Sequence, residues 1–301
     1  MDPKETSLVI GIGDLHGHLP ALERLLDGLH GEFGILPDGE HLRKGVEVVF
    51  TGDYIDRGTH SRETVTAVMR LQERNPRQVH TLFGNHELLA LAARQDAIFA
   101  AQQTNPQQIY RVVTTHGRNG GWTFVKQYGI DDKSACREFA DAIAPGSPMG
   151  TWLRQLLPYH RARSGDRELL FVHAGIPERL STPQLLEAYA SAFSTHLKEV
   201  TSANPVMKYL EHDLVGDHGV FWDRRIPDGD ADPDALAQRL GVDRIIIGHT
   251  PQKRITRYGT AVYNIDVGMC PAYGENGPAA IVFTPSHVID FDLKHGTGTL
   301  E

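Results

Sequence analysis

The chain has 301 residues, of which 40% are hydrophobic and 23% charged, a composition that is usual for a globular protein with a sizeable core. Its formal net charge of −8 argues against a nucleic-acid partner, because phosphate backbones attract clustered lysine and arginine. Its two cysteines stand outside any CxxC pattern, which excludes a disulfide framework. No apolar run approaches the roughly 20 residues of a membrane span. We therefore expect a cytoplasmic protein without a membrane partner.

Short runs of β-branched residues alternate with helical patterns along the chain, which is typical of α/β construction. The runs are interpreted as buried strands because they are almost wholly apolar, whereas the helical segments carry apolar residues three and four positions apart. In chain order, the predicted elements are a strand at 8–12, a helix at 19–30, a strand at 46–51, a helix at 61–75, a strand at 79–83, a mainly helical stretch at about 87–157, a strand at 169–172, a helix at 183–200, and strands at 244–247, 261–265 and 279–283.

The loops between these elements do not look like linkers between independent units. A proline-rich break at 145–148 interrupts the long helical stretch, and an acidic loop is expected at 227–233. We therefore predict a single domain over residues 1–299, with a helical insertion at about 87–157. Residues 300–301 are interpreted as a possible cloning scar and are left out of that domain.

A polar, glycine-containing cluster follows each of five predicted strands. In α/β sheets, ligands bind at the carboxyl ends of strands, so these clusters should converge on one site. Their glycines suit tight turns and allow the backbone to approach a bound ion or phosphate closely. The clusters are GDLHG at 13–17, GDYIDRG at 52–58, GNHE at 84–87, HAG at 173–175 and GHTP at 248–251.

The residue types in these clusters point to a pair of metal ions. Imidazole and carboxylate groups without thiolates favour Mn, Fe or Zn, whereas sites made only of oxygen ligands favour Mg or Ca. A bridging carboxylate can hold two ions about 3.5–4 Å apart with a hydroxide between them. Because such a hydroxide is nucleophilic at neutral pH, the chemistry needs no serine or cysteine nucleophile.

In this order, the five motifs resemble the signature of the phosphoprotein phosphatase family, within the calcineurin-like metallophosphoesterases. The resemblance spans Gly13 to Thr250, and the HAG triplet and the stretch at 119–129 are similar to bacterial members. It implies a four-layer α/β/β/α sandwich with a helical insertion. It also implies a phosphomonoesterase that uses a metal-bridging hydroxide and two divalent ions, with Mn expected and Fe or Zn as alternatives.

The resemblance also implies roles for individual residues. Asp14 and His16 would bind the first metal ion, and Asp53 would bridge both. The second ion would be completed by Asn85, His173 and His249.

Four further residues are implied in catalysis and phosphate binding. His86 would donate a proton to the leaving oxygen, and Asp56 would hold its imidazole and favour the cationic form. Arg57 would bind two phosphoryl oxygens through its planar guanidinium. Arg224, in the sequence Trp-Asp-Arg, resembles a second phosphate-binding arginine of bacterial and phage members, with Arg225 as the alternative.

Three functions remain open at this point. The favoured one is a serine/threonine-type protein phosphatase acting on a phosphorylated protein or peptide, with its preference for tyrosine undecided. The alternative is a dinucleoside polyphosphate (diadenosine tetraphosphate) hydrolase, against which GNHE and GHTP argue, because those enzymes typically have GNHD and a tryptophan after the last motif histidine. A non-catalytic binding module of the same fold is the second alternative, although every expected site position is filled. The oligomeric state and the physiological substrate are not predicted.

Several polar residues outside the motifs are given no metal-binding role. Asp266 is expected to form a turn at a strand end. Solvent-exposed or hydrogen-bonded roles are expected for His18, His116, His160 and His196.

Overall fold

Two mixed β-sheets form the centre of the fold in the computed structural model, which describes residues 8–200, 219–274 and 276–301. Within α-helix 183–200, the side chains at positions 194, 196 and 198–200 lie outside the described residues, and the expectation for His196 falls among them. In the part of the chain that is described, no helix combines the length and the hydropathy that a membrane span requires.

The first sheet has six strands and is parallel at one end and antiparallel at the other. Strands β1, β2 and β3 run parallel, and β9 pairs with β1 in the antiparallel direction. The order across the sheet is β11-β10-β9-β1-β2-β3. Its strands are β1 (Leu8–Ile12), β2 (Val46–Phe50), β3 (Val79–Thr81), β9 (Ala279–Phe283), β10 (Val288–Asp292) and β11 (Gly298–Thr299).

The second sheet has five strands in the order β4-β5-β6-β8-β7. Strands β5, β6 and β8 are parallel, while β4 and β7 add antiparallel edges. Its strands are β4 (Tyr159–Ser164), β5 (Arg167–Val172), β6 (Arg244–Ile247), β7 (Thr256–Tyr258) and β8 (Val262–Asn264).

The two sheets face each other across a shared apolar core. On β1, an added Cβ at Gly11 would lie 2.9 Å from the Phe171 ring of β5, so glycine is what allows the sheets to approach here. The inner strands are buried on both faces, which explains their continuous apolar sequences.

Helices cover the outer faces of the sheets, and the predicted four-layer α/β/β/α class is confirmed. The helical stretch predicted at about 87–157 contains six short helices and a π-helical turn, Gly117–Gly121. The helices are α1 (Leu19–Phe33), α2 (Ser61–Arg74), α3 (Asn85–Ala92), α4 (Arg94–Ala100), α5 (Pro106–Val113), α6 (Trp122–Val125), α7 (Asp132–Ala142), α8 (Pro148–Leu153), α9 (Pro183–Val200) and α10 (Pro233–Leu240).

The last residue of the chain is bound to the second sheet. The Glu301 carboxylate pairs with Arg244 on β6, lies 2.8 Å from Arg257 on β7, and accepts a hydrogen bond of 2.7 Å from the Tyr263 hydroxyl. The Val288 amide donates to the Glu301 carbonyl oxygen at 3.1 Å. Whatever the origin of this residue, its side chain connects three strands of the fold.

Candidate active site

The polar motif loops of the two sheets meet at the carboxyl ends of their strands. His173, after β5, hydrogen-bonds through Nδ1 to the carbonyl oxygen of Thr51, after β2, at 2.8 Å. The backbone amide of His249, after β6, donates to Oδ2 of Asp14, after β1, at 3.1 Å. The loops that follow four strands of two different sheets are therefore joined by direct contacts, as the arrangement of parallel strands predicts.

The backbone at this site is held in a conformation that residues other than glycine seldom adopt. Side chains with a Cβ pay ~1–3 kcal/mol for left-handed geometry, so it persists where surrounding contacts enforce it. Within the described residues, positive φ angles outside glycine occur at His16 (42°), Asp53 (53°), Asp56 (72°), Arg57 (66°) and His249 (67°). All five belong to the predicted site.

One group of metal-ligating atoms lies around Asp53 on the side of the second sheet. The donor atoms of Asp53, His173 and His249 are within 4.8 Å of one another, and all three residues are buried. The Asn85 side-chain oxygen adds to the group, at 3.0 Å from His173 Nε2 and 2.9 Å from His249 Nδ1. The structure thus brings together the four residues that the resemblance assigns to the second ion and the bridge.

A second group of donor atoms shares Asp53. His16 Nε2 lies 3.6 Å from Asp53 Oδ2, and His86 Nε2 lies 4.0 Å from the same oxygen. Because Asp53 belongs to both groups, its carboxylate is in position to bridge two ions. Asp14 is outside both groups in this arrangement, and its carboxylate accepts the amide of His249 instead.

The ring of His86 is held from both sides. Its Nδ1 lies 2.6 Å from Asp56 Oδ2, and its Nε2 lies 3.0 Å from a guanidinium nitrogen of Arg57. Arginine can only donate, so Nε2 accepts in this contact and Nδ1 carries the proton that Asp56 accepts. This geometry differs from that of a metal ligand, whose coordinating nitrogen must be free to bind the ion.

Asp56 has a second histidine partner that the sequence did not reveal. Its Oδ1 lies 2.8 Å from Nε2 of His116, whose Nδ1 contacts the Tyr110 hydroxyl at 2.6 Å. Burial alone would raise the pKa of Asp56, but pairing with His116 and His86 outweighs it and lowers that pKa. His116 thus has the hydrogen-bonded role expected of it, although its place behind Asp56 and His86 was not predicted.

The feature of the sequence that could have revealed the role of His116 is a glycine whose backbone packs against its ring. An added Cβ at Gly121 would lie 2.3 Å from His116 Nε2, so glycine is required for the ring to reach Asp56. The preceding Gly120 has a φ of 96°, and its carbonyl oxygen accepts the Arg57 amide at 3.3 Å. The Asn-Gly-Gly stretch therefore positions both sides of the His86 environment.

Glu87 is a further residue whose role was missed. Its buried carboxylate accepts the backbone amides of Asp53 and Tyr54 at 2.9 Å each, and the amide of Gly84 at 3.1 Å. It therefore holds the loop after β2 against the start of α3. An added Cβ at Gly84 would lie 2.1 Å from Asp53 Oδ1, which leaves no room for a side chain between them.

The site concentrates buried negative charge, which favours cations. Burial, together with the charges of Asp266 and Asp53, raises the pKa of Asp14 well above its usual value. Burial likewise raises the pKa values of Asp53 and Glu87. The charges of Asp56 and Asp266 add to the rise at Asp53, and the charge of Asp53 adds to the rise at Glu87. Bound divalent cations would offset this repulsion and restore the ionised forms.

Burial favours the neutral form that metal ions require at three histidines of the site, His16, His173 and His249. Burial lowers the pKa of His173 to about 3, and it lowers the pKa values of His16 and His249 well below the usual range. Buried His249 Nε2 has no hydrogen-bond partner among the described residues. Neutral imidazoles, carboxylates and an amide oxygen without thiolates are a donor set that fits Mn, Fe or Zn.

Two residues of the loop after β8 approach the same centre. Asp266 accepts the Gly268 amide at 2.9 Å, the turn contact expected of it, while its buried Oδ2 has no partner within the described part of the chain. The Tyr273 hydroxyl lies 3.2 Å from His16 Nε2, and the Arg57 guanidinium stands 5.0 Å above the Tyr273 ring. Tyr273 therefore links a predicted metal ligand to a predicted phosphate ligand.

The two candidate arginines after Trp222 differ in environment. Arg225 pairs with Asp223 at 3.0 Å and donates to the Ile176 carbonyl oxygen at 2.9 Å. Arg224 is exposed, and its charge contributes to lowering the pKa values of His173 and His249. The structure thus favours Arg224 over Arg225 as the phosphate-binding candidate.

Comparison with known proteins agrees with this geometry. Residues 8–253 match the family model described as calcineurin-like phosphoesterase. A serine/threonine-protein phosphatase of Arabidopsis thaliana is 39% identical over 87 residues, which cover 29% of this chain and 8% of that protein. The match thus spans a small part of that relative's length.

Solved structures extend the comparison to almost the whole chain. A cold-active protein-tyrosine phosphatase from a Shewanella species superposes with a TM-score of 0.66 and 21% identity, over 98% of this chain and 80% of that one. A protein provisionally named as a diadenosine tetraphosphatase superposes with a TM-score of 0.51 and 18% identity, over 97% of this chain and 96% of that one. At these identities, the likeness shows the fold.

Proposed function

Because the chain belongs to the calcineurin-like phosphoesterase family, a family of metal-dependent hydrolases, we propose that it is a phosphomonoesterase of the serine/threonine protein phosphatase type. The observation that carries this proposal is the position of His86. It lies between Asp56 and Arg57, beside the two donor groups that share Asp53. A proton donor, a phosphate-binding cation and a set of metal ligands are thus adjacent.

The ligands fit two divalent ions. Asp14 and His16 would bind one ion, Asn85, His173 and His249 would bind the other, and Asp53 would contribute to both. Ions bound there would polarise the phosphoryl oxygens and provide a water activated at neutral pH. Mn is proposed, with Fe or Zn as alternatives, because the donor set is of mixed nitrogen and oxygen type.

Arg57 connects substrate binding to the protonation of His86. In the structure, a guanidinium nitrogen of Arg57 donates a hydrogen bond to His86 Nε2. This Nε2 is the atom that must carry the proton delivered to the leaving oxygen. A phosphoryl group attracts the guanidinium more strongly than a neutral imidazole does, because two hydrogen bonds between opposite charges replace one bond to a neutral ring. We propose that phosphate binding turns Arg57 away, so that Nε2 takes up a proton from solvent water while the Asp56 carboxylate keeps the hydrogen bond from Nδ1.

The unpartnered Nε of Arg57 supports this movement. The atom is buried and has no hydrogen-bond partner among the described residues. A guanidinium that contacts phosphate through two parallel bonds uses such a nitrogen. The structure therefore contains an arginine whose hydrogen-bonding capacity is incompletely used.

The protein-substrate part of the proposal rests on the match to a named serine/threonine-protein phosphatase, together with GNHE at the start of α3. Glu87 of that motif accepts hydrogen bonds from three backbone amides. The aspartate of a GNHD motif would be one methylene shorter at this position. The alternative of a non-catalytic module is not supported, because every proposed ligand is present.

A second candidate function is favoured by a pocket beside the site. The pocket has a volume of about 390 Å³ and is lined in part by Trp222, Arg179 and Arg224. The Trp222 ring stands 5.9 Å from that of His249, in an edge-on arrangement. An aromatic ring and two arginines suit the base and phosphates of a second nucleotide, as a dinucleoside polyphosphate hydrolase would need.

Turnover of the protein reconstituted with Mn²⁺ distinguishes the two functions. For phosphoserine or phosphothreonine peptides, kcat/KM should exceed that for diadenosine tetraphosphate at least about tenfold, a preference of ~1.4 kcal/mol in the transition state. Phosphotyrosine peptides should be included to define the side-chain preference. A better rate with the dinucleotide, together with its selective loss in Trp222→Ala, would replace the phosphoprotein assignment.

A further inference from the structure

A cluster of two histidines and one glutamate lies outside the candidate active site. Glu47 is on β2, His80 is on the neighbouring edge strand β3, and His160 is on β4, the edge strand of the other sheet. Oε1 of Glu47 lies 2.6 Å from His160 Nε2 and 3.4 Å from His80 Nε2. The cluster therefore joins the two sheets along one edge of the sandwich.

The imidazole rings of this cluster are unusually arranged for a simple pair of salt bridges. The rings of His80 and His160 stack with centroids 3.7 Å apart and planes inclined by 14°. Two imidazolium rings would repel each other at this distance, so the arrangement is compatible with at most one charged ring. Burial and the nearby His160 lower the pKa of His80 to about 4, which leaves the ring neutral, with a lone pair on one of its nitrogens, at neutral pH.

We propose that Glu47, His80 and His160 form a third metal site, separate from the active site, that takes Zn²⁺ or a similar borderline divalent ion. The donor atoms of the three side chains all lie within 4.8 Å of one another. Two imidazoles with one carboxylate form a common three-residue zinc ligand set, in which a water fills the remaining position.

The two distances from Glu47 can be compared with what such a site requires, and the stacked rings would have to turn for both lone pairs to point at one ion. Ligand atoms in a tetrahedral zinc site lie about 3.3 Å apart, given bonds of about 2.0–2.2 Å. The Glu47–His80 separation already has this value, at 3.4 Å. The Glu47–His160 separation is 2.6 Å, so metal binding would replace this hydrogen bond and lengthen the distance by roughly 0.7 Å.

The cluster is also accessible to an ion. The side chains are 12% (Glu47), 21% (His80) and 17% (His160) exposed, so the site is largely enclosed yet open to solvent on one side. Both ion pairs of Glu47 within the described residues are with these two histidines. An ion at this position would connect the edge strands of both sheets and would stabilise the folded chain in proportion to its occupancy.

The test is the metal content of the full chain. Wild-type protein and His160→Gln are first loaded with Mn²⁺, then equilibrated with buffered Zn²⁺, and the metals in each are counted by mass spectrometry. Wild type should retain one more equivalent of Zn²⁺ than His160→Gln. Its Tm should also rise by a few degrees for each tenfold increase in free Zn²⁺ above Kd, a shift that His160→Gln should lose in part. Phosphatase turnover should be equal in both.

Two further variants make the result specific. Glu47→Gln preserves the shape of the carboxylate and should lose the same equivalent, even if His160→Gln folds poorly. His41→Gln is the matched control, because it also removes a histidine whose ring contacts a carboxylate, Asp38, at 2.8 Å. Equal zinc content in wild type and Glu47→Gln, or an equal loss in His41→Gln, would overturn the proposal and leave the cluster as a hydrogen-bonded link between the sheets.

Discussion

Asp56 lies between two histidine rings, with Oδ1 at 2.8 Å from His116 Nε2 and Oδ2 at 2.6 Å from His86 Nδ1. Both oxygens of a fully buried carboxylate are thereby engaged, and a hydroxyl from Tyr110 holds the far side of His116. The orientation of His86 therefore depends on a residue that does not itself contact the metal ligands. His116 is a positioning residue in this arrangement.

Replacing His116 should weaken proton donation without emptying the metal site. His116→Phe removes one hydrogen bond to the buried Asp56 charge, which should lower the free energy of unfolding by ~1.5–3 kcal/mol. We expect kcat for alkyl phosphoesters to fall about tenfold, part of the ~10²–10⁴-fold that acid catalysis supplies. His116→Gln, which retains a donor, should recover most of the loss. An unchanged kcat in His116→Phe would contradict the positioning role.

Replacing His86 tests the acid directly. His86→Asn should keep metal content and KM near the wild-type values, while kcat falls by ~10²–10⁴-fold. The loss should shrink for nitrophenyl phosphate, because nitrophenolate leaves without a proton. Rates with a series of leaving groups check this. Equal losses for alkyl and nitrophenyl esters, or loss of a metal ion, would argue that His86 serves another purpose.

Replacing Asp53 tests the bridge between the two donor groups. Asp53→Asn removes the negative charge that both ions would share, while its amide oxygen can still accept the His86 backbone amide, which now donates at 3.0 Å. Metal content should drop and hydrolysis should vanish. Chelation of the wild type should likewise abolish activity, and Mn²⁺ should restore it better than Mg²⁺. Asp27→Asn, on the exposed face of α1, serves as the charge-matched control. Normal metal content in Asp53→Asn would exclude the bridging role.

Replacing each of the two arginines after Trp222 should change a different property of the protein. Arg224→Ala should raise KM for phosphoester substrates, because it removes an exposed cation beside the site. Arg225→Ala should instead lower Tm, since it leaves the buried Asp223 carboxylate unpaired at a cost of ~1–3 kcal/mol. Steady-state kinetics and thermal unfolding measure the two effects. A raised KM in Arg225→Ala with normal stability would reverse the assignment.

The raised pKa of Asp290 on β10 predicts a pH dependence of stability that is unrelated to catalysis. Burial and the charge of Asp292 raise the pKa of Asp290 from 3.8 to about 6. Between these values the folded protein binds more protons than the unfolded chain, so its stability falls as pH rises through this range. Asp290→Asn should therefore be more stable than wild type at pH 7.5 by ~1 kcal/mol, after allowance for solvent screening at this half-buried position. The advantage should disappear near pH 4. A Tm difference that does not vary with pH would contradict this prediction.

The sequence identified the strands that lie inside the sheets. Strands β1, β6 and β9 begin and end at the predicted residues, because each is a run of mainly apolar residues buried on both faces. Strand β4 was not predicted, since it lies at an edge of its sheet and its sequence, YHRARS, has polar side chains at every other position or more often. The edge strands β7 and β11 carry the same weak signal.

The candidate site was predictable to the extent that its residues follow a strand directly. The motif residues lie at strand ends, and parallel strands bring those ends together. His116 and Tyr273 reach the site from elsewhere, with partners 60 and 257 residues away along the chain. Neither belongs to a motif or an amphipathic pattern, and the helical turns that position them depend on packing. Their roles became visible when the distances were known.

The left-handed backbone at the five site residues has a consequence for attempts to make the protein more heat-resistant. Each such position holds a side chain where glycine would relieve ~1–3 kcal/mol of local strain. A library of variants ranked by melting temperature alone would therefore tend to promote glycine at Asp53, where loss of the side chain would also relieve the repulsion from Asp56 and Asp266. Those clones would survive heating and hydrolyse nothing, because the atoms that create the strain are the proposed ligands. Selection for heat resistance in this protein must include an assay of turnover, because otherwise it will favour inactive variants.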